Sequence, residues 1–188
     1  MVRLHRAERG RLHRISGHIR GNSLEPESAQ IKTTVRHLKD IDEQLAYLVL
    51  LTCEGIKPLS RWEKPLEENG LNLLEGMGLV TKQIRRTVKT QKEIIETIFS
   101  RSPGYIRAYE ARFADTPIDK SPQARRFEGF LFGYPPCCVE QFIRHPYAKN
   151  ELKPKDQKIL FHWACSKCKI TPILLPAYKR LHSILMNS

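Results

Sequence analysis

Four of the five cysteines in this chain fall in two close pairs. Cys137 and Cys138 are adjacent in GYPPCCVEQF, residues 133–142, and Cys165 and Cys168 are separated by two residues in HWACSKC, residues 162–168. A two-residue spacer lets both sulfurs reach one metal ion from a single turn. His162 precedes Cys165 by three residues, one helical turn, and can face the same way. Twenty-six residues separate Cys138 from Cys165, enough for a helix, a turn and a returning helix. The spacing therefore predicts one thiolate-rich site, closed by an antiparallel helix pair and built from Cys137, Cys138, Cys165, Cys168 and His162. Pro135 and Pro136 put the first pair at a helix N-terminus. Exposed N–H groups and the helix dipole lower a thiol pKa there, and the thiolate is the form that binds metal or attacks.

Three uses of such a site compete. Metal or cluster binding ranks first, ahead of buried packing cysteines and of redox or disulfide chemistry, which rank close together. Neighbouring residues on a helix point about 100° apart, which argues against both Cys137 and Cys138 on one tetrahedral ion. The zinc set would then be one of that pair with Cys165, Cys168 and His162. Four thiolates could equally hold an iron–sulfur cluster, which tolerates adjacency better. In a catalytic version Cys138 is the nucleophile, His162 its base and Glu140 an orienting or proton-transferring group. That version leaves most of the thiols without a task, and Glu140 reads more simply as a solvated helix residue. Cys53 reads as a small buried residue, and His145 as a helix-end histidine capping carbonyls.

The phrase EGFLFGYPPCCVEQF, followed by HWACSKC and a last helix carrying Tyr178, resembles the family catalogued as domain of unknown function number 483. The likeness spans roughly residues 100–185, with Gly133-Tyr134-Pro135, the Cys137-Cys138 pair and the His162, Cys165, Cys168 group as its most specific part. Members of that family are mainly archaeal and uncharacterised. The resemblance implies an archaeal cytoplasm and supplies neither substrate nor mechanism. A hyperthermophilic host would reopen the disulfide reading.

The elements that must position these residues read as almost entirely helical. The stripe Ile31, Val35, Leu38, Leu45, Val49 and Thr52 predicts one long helix from Pro26 to about Cys53. A short helix fits Leu66 to Glu75 between glycine and proline breakers. A second long helix is predicted from Leu79 to Ser100, with Val80, Ile84, Val88, Ile95 and Phe99 inward. Ser102-Pro103, Ser121-Pro122 and Thr171-Pro172 each set a hydroxyl cap before a proline, predicting helices over 103–114, 122–132 and 172–186. Pro135 and Pro136 open another, to about His145, and Pro154 opens one that carries Phe161 and His162. Pro176 would bend the last helix. Period-two alternation is not evident. The expected fold is all-α, with a flexible basic arm over 1–24, a helical region over 25–100 and a cysteine-bearing helical region over 101–188.

Composition bounds the partners. The chain has 188 residues, of which 40% are hydrophobic, so a core is within reach. Five cysteines without an apolar leader predict a cytoplasmic protein with reduced thiols, and no apolar run is long enough to span a membrane. A net charge of +12 favours an acidic partner, RNA or an acidic protein. Lys82, Arg85, Arg86, Lys89 and Lys92 would form a basic face on the 79–100 helix, able to lie along a phosphate backbone. Tyr105, Tyr109 and Phe113 could stack bases, but their helical spacing reads better as core. Trp163, beside His162, would shield the cysteine site.

Overall fold

A computed structural model describes residues 29–88, 90 and 92–188. The predicted basic arm over 1–24 and Lys89 lie outside the described residues. Among the described residues, eight helices and four strands follow one another as α1 (Ala29–Ile41), α2 (Glu43–Cys53), β1 (Ser60–Trp62), α3 (Glu68–Gly76), β2 (Val80–Thr87), β3 (Glu93–Ser100), α4 (Pro103–Phe113), β4 (Thr116–Pro117), α5 (Pro122–Leu131), α6 (Pro136–Arg144), α7 (Pro154–Lys158) and α8 (Thr171–Met186). The all-α expectation is therefore overturned: the fold mixes helices with a sheet of order β1-β3-β2-β4.

The error lies in 79–100. That segment is an antiparallel hairpin with Val80 opposite Ser100 and Thr87 opposite Glu93. Val80, Thr81, Thr87, Ile94, Ile95, Thr97 and Ile98 are β-branched; they lose side-chain freedom in a helix and pack well on a pleated surface. Val88 N–H donates to the Lys92 carbonyl at 2.9 Å and closes the turn. β1 adds antiparallel to β3, and the two-residue β4 adds parallel to β2. Ile84 and Phe99 are buried as expected, but Val80 and Ile95 are exposed.

The predicted helix ending at Cys53 is two helices. Asp42 has extended backbone, and its Oδ1 accepts from Gln44 N at 2.8 Å and Leu45 N at 3.4 Å, capping a new helix start. From Leu45 to Cys53 every residue of α2 is buried, as a helix apolar on all sides must be. It is wrapped by α1, α3 and α8 in a first core that includes Val35, Leu38, Trp62, Leu74, Phe99, Tyr178 and Leu181. Tyr47 O–H donates to the carbonyls of Ile159 and Tyr178, both at 3.1 Å, and so fastens α2 to the C-terminal part of the chain.

A second core joins the sheet to α4 and α5 through Leu59, Ile84, Ile98, Ile106, Tyr109, Phe113, Ala124 and Leu131. Tyr109 and Phe113 are thus core, as their period implied. The Ser-Pro starts hold: Ser102 caps Gly104 N at 3.3 Å and Ser121 caps Ala124 N at 3.2 Å. Thr171-Pro172 does not follow the pattern, since Ile170 is the N-cap of α8 and no side chain caps it. The helix opened by Pro154 stops at Lys158, leaving Phe161 and His162 on irregular chain. α8 runs on through Pro176.

Candidate metal centre

Pro136 occupies the first turn of α6, so Cys137 and Cys138 lie at its N-terminus. The chain returns after α7 through an irregular segment, and a tight turn brings Cys168 N to 3.3 Å from the Cys165 carbonyl. The Sγ atoms of Cys137, Cys138, Cys165 and Cys168 all lie within 4.8 Å of one another. Cys168 Sγ is 3.7 Å from Cys137 Sγ and 3.4 Å from Cys138 Sγ. The angle of about 100° between neighbouring helix positions argues from sequence against both Cys137 and Cys138 on one tetrahedral ion. The structure brings both sulfurs into one cluster, with Cys168, from the separate turn, close to each of them.

Backbone amides feed the sulfurs. Cys165 N donates to Cys138 Sγ at 3.3 Å and Thr171 N to Cys168 Sγ at 3.2 Å. Burial raises the Cys168 thiol, but hydrogen bonds from the hydroxyl and amide of Thr171, with those of Cys138 and the Ile170 amide, together outweigh it and bring it down to about 7. Burial, then the thiols of Cys165 and Cys168, pushes Cys137 up to about 11. Burial also pushes Cys138 up. Four crowded sulfurs thus resist ionising together unless a cation joins them, and a divalent ion reverses that balance.

His162 is not among the converging ligand atoms. Its Nε2 sits 3.0 Å from Thr171 Oγ1, which lies 3.1 Å from Cys168 Sγ and 3.7 Å from Cys138 Sγ. Burial, with the charge of Lys57 second, lowers the imidazole to about 4, so it is neutral at pH 7. Its Nδ1 is buried without a hydrogen-bond partner. A bare lone pair there costs less than an unpaired N–H, which places the ring proton on Nε2. Nε2–H then donates to Thr171, and the Thr171 hydroxyl donates to Cys168. Thr171 was missed from sequence because its Ser/Thr-Pro context read as a cap.

The catalytic set does not assemble around Cys138. Glu140 is bound twice by Arg126, at 2.5 and 3.0 Å, on the exposed side of α6. His162 hydrogen-bonds to Thr171 instead of to a thiol. Cys53 is buried in the first core, away from the cluster.

The basic face drawn on a 79–100 helix dissolves with that helix. Arg86 is 1% exposed, its Nη1 lying 3.4 Å from Glu96 Oε1 and 3.5 Å from Glu128 Oε1. Lys82 pairs with Glu110 at 3.1 Å and Arg85 with Glu93 at 3.8 Å, while Lys92 is exposed beyond the hairpin turn.

A cavity of about 570 Å³ opens beside the cysteine cluster, between α5, α6, α7 and the 160–163 segment. Phe132, Tyr134, Phe142, Tyr147, Phe161 and Trp163 supply aromatic wall, and His162 lines it as well. Tyr147 lies edge-on to Phe142 at 5.2 Å and to Trp163 at 5.4 Å. Trp163 Nε1 donates to the Ala148 carbonyl at 2.7 Å. Sequence reading gave Trp163 only a shielding role and did not find the cavity, whose aromatics share no period.

No family model matches the chain, and neither a curated protein nor a solved structure matches it. The class is defined by fold and site alone: an α/β protein with a four-cysteine cluster able to hold a metal ion. Among the described residues no helix is long and apolar enough to cross a membrane.

Proposed function

We propose that Cys137, Cys138, Cys165 and Cys168 hold one tetrahedral zinc ion whose work is structural, binding the start of α6 and the turn before α8 into one unit. The observation that carries this is the spacing of the sulfurs. Four sulfurs each 2.3 Å from zinc form a tetrahedron with edges of about 3.8 Å. Two of the six sulfur pairs, at 3.7 and 3.4 Å, lie near that edge, and all six lie within 4.8 Å. In an iron–sulfur cluster the thiolates bind different irons bridged by sulfide, which needs a wider sulfur cage. A site whose four ligands all come from the chain leaves no open position, the mark of a structural ion. The excess positive charge supports an acidic partner for the protein so built.

The test is elemental analysis and a visible spectrum of protein purified without oxygen. Zinc near one equivalent in a colourless sample is the expected result, with loss of the ion in Cys138→Ser and Cys168→Ser. Brown protein containing iron and sulfide overturns the zinc assignment. Metal-free protein with all four thiols freely titratable overturns the site.

A further inference from the structure

The aromatic cavity has features that structural packing does not require. Tyr147 is 68% exposed at its rim, yet its backbone is held at φ 58°, a left-handed conformation that an aromatic residue rarely takes. The rings of Phe142, Tyr147 and Trp163 meet edge to face, leaving ring surface uncovered by neighbours of their own kind. The charged lining is unequal: Arg61, Arg125 and Lys158 against Glu128. Glu128 is committed to Arg61 at 2.6 Å and Arg86 at 3.5 Å. Among the described residues no carboxylate pairs with Arg125 or Lys158. Arg125 instead lies over the Phe142 ring at 5.7 Å. An open aromatic trough with uncompensated cations calls for a ligand that is flat at one end and anionic at the other. At about 570 Å³ it has the size of a small-molecule site.

We infer that this cavity binds a nucleotide, with the base against Tyr147, Phe142 and Trp163 and the phosphate on Arg125 and Lys158. Stacking on aromatic side chains is the sequence-tolerant way proteins hold an unpaired base, and Arg and Lys supply its phosphate contacts. The ligand is either a free nucleotide or one splayed from an RNA strand, since both present the same base and phosphate. The site goes beyond the zinc reading: the ion would fix one wall, but no sulfur takes part in binding.

Trp163 reports on the site directly. The full chain is titrated with each of the four ribonucleoside monophosphates and with short single-stranded oligoribonucleotides, following tryptophan fluorescence, with zinc content measured on the same sample. We expect a saturable change that weakens as salt rises. Arg125→Gln and Tyr147→Asn, the latter chosen because asparagine accepts the left-handed backbone, should each weaken binding about tenfold with an unchanged melting midpoint. Arg85→Gln, on the sheet, should bind as the parent does. Saturation by monophosphates identifies a free nucleotide; saturation by oligomers alone identifies a nucleotide within RNA. No saturable change with either probe overturns the inference, as do unaltered affinity in both variants or phosphate-free nucleosides binding as tightly as monophosphates. Binding retained by zinc-free protein would count against the structural ion while leaving this site intact.

Discussion

A single hydroxyl ties the neutral imidazole of His162 to the sulfur cluster. Thr171 receives Nε2–H at 3.0 Å and faces Cys168 Sγ at 3.1 Å, while its amide reaches the same sulfur. Outer partners of this kind orient ligands and favour their charged form. We predict that Thr171→Val lowers metal affinity about 10–100-fold while His162 and all four cysteines remain. Competition with a chromophoric chelator measures it, and affinity equal to the parent's would show that the hydroxyl has no such part. At this scale the sequence displayed the four thiols plainly, because cysteine type and spacing carry ligand chemistry on their face. It did not display Thr171, because the direction a hydroxyl takes depends on where the preceding turn ends.

Among the elements, α5 and α6 approach closely at Gly129. A Cβ on Gly129 would stand 2.5 Å from Val139 Cγ2, so the glycine in EGF lets the two helices touch. Gly133, between them, has φ 71°, and a Cβ there would meet the Ile56 carbonyl oxygen at 2.8 Å. We expect Gly129→Ala to destabilise by about 1–3 kcal/mol through overpacking, read as a lower urea midpoint. A midpoint at or above the parent's would mean that Val139 moves aside freely. Element starts built on Ser-Pro were readable because cap chemistry is local. The β2–β3 hairpin was not, for two reasons. Its apolar residues also satisfy a helical period, and its strands are half-covered in a way only tertiary partners decide. The break at Asp42 was missed for a related reason: the apolar stripe continues in phase across it.

For the molecule as a whole, Lys57 joins the two cores. Its Nζ donates to the Phe132 carbonyl at 3.2 Å and lies 4.5–5.3 Å from the ring centres of Tyr134, Phe132 and Phe161. Burial, with the charge of Arg61 second, lowers its pKa from 10.5 to about 7. The unfolded chain therefore holds one more proton than the folded chain between about pH 7 and 10.5. Stability should rise with pH across that window by roughly 3 kcal/mol, after allowing for the rings that favour the cation. Comparing urea midpoints of the parent and Lys57→Met through this range isolates the effect, since the variant should lose that slope. Identical slopes would show that the ammonium keeps its charge throughout. The sequence held no sign of this lysine's position, which arises only where β1, α5 and the 159–162 segment converge.

α8 covers a surface laid down much earlier. Tyr47 reaches the Tyr178 carbonyl across 131 positions, and Lys39 Nζ donates to the Leu185 carbonyl at 2.8 Å. During synthesis the face of α2 that α8 covers stays bare until α8 has left the ribosome. A nascent chain that exposes α2 in this way carries the kind of uncovered apolar surface on which aggregation starts.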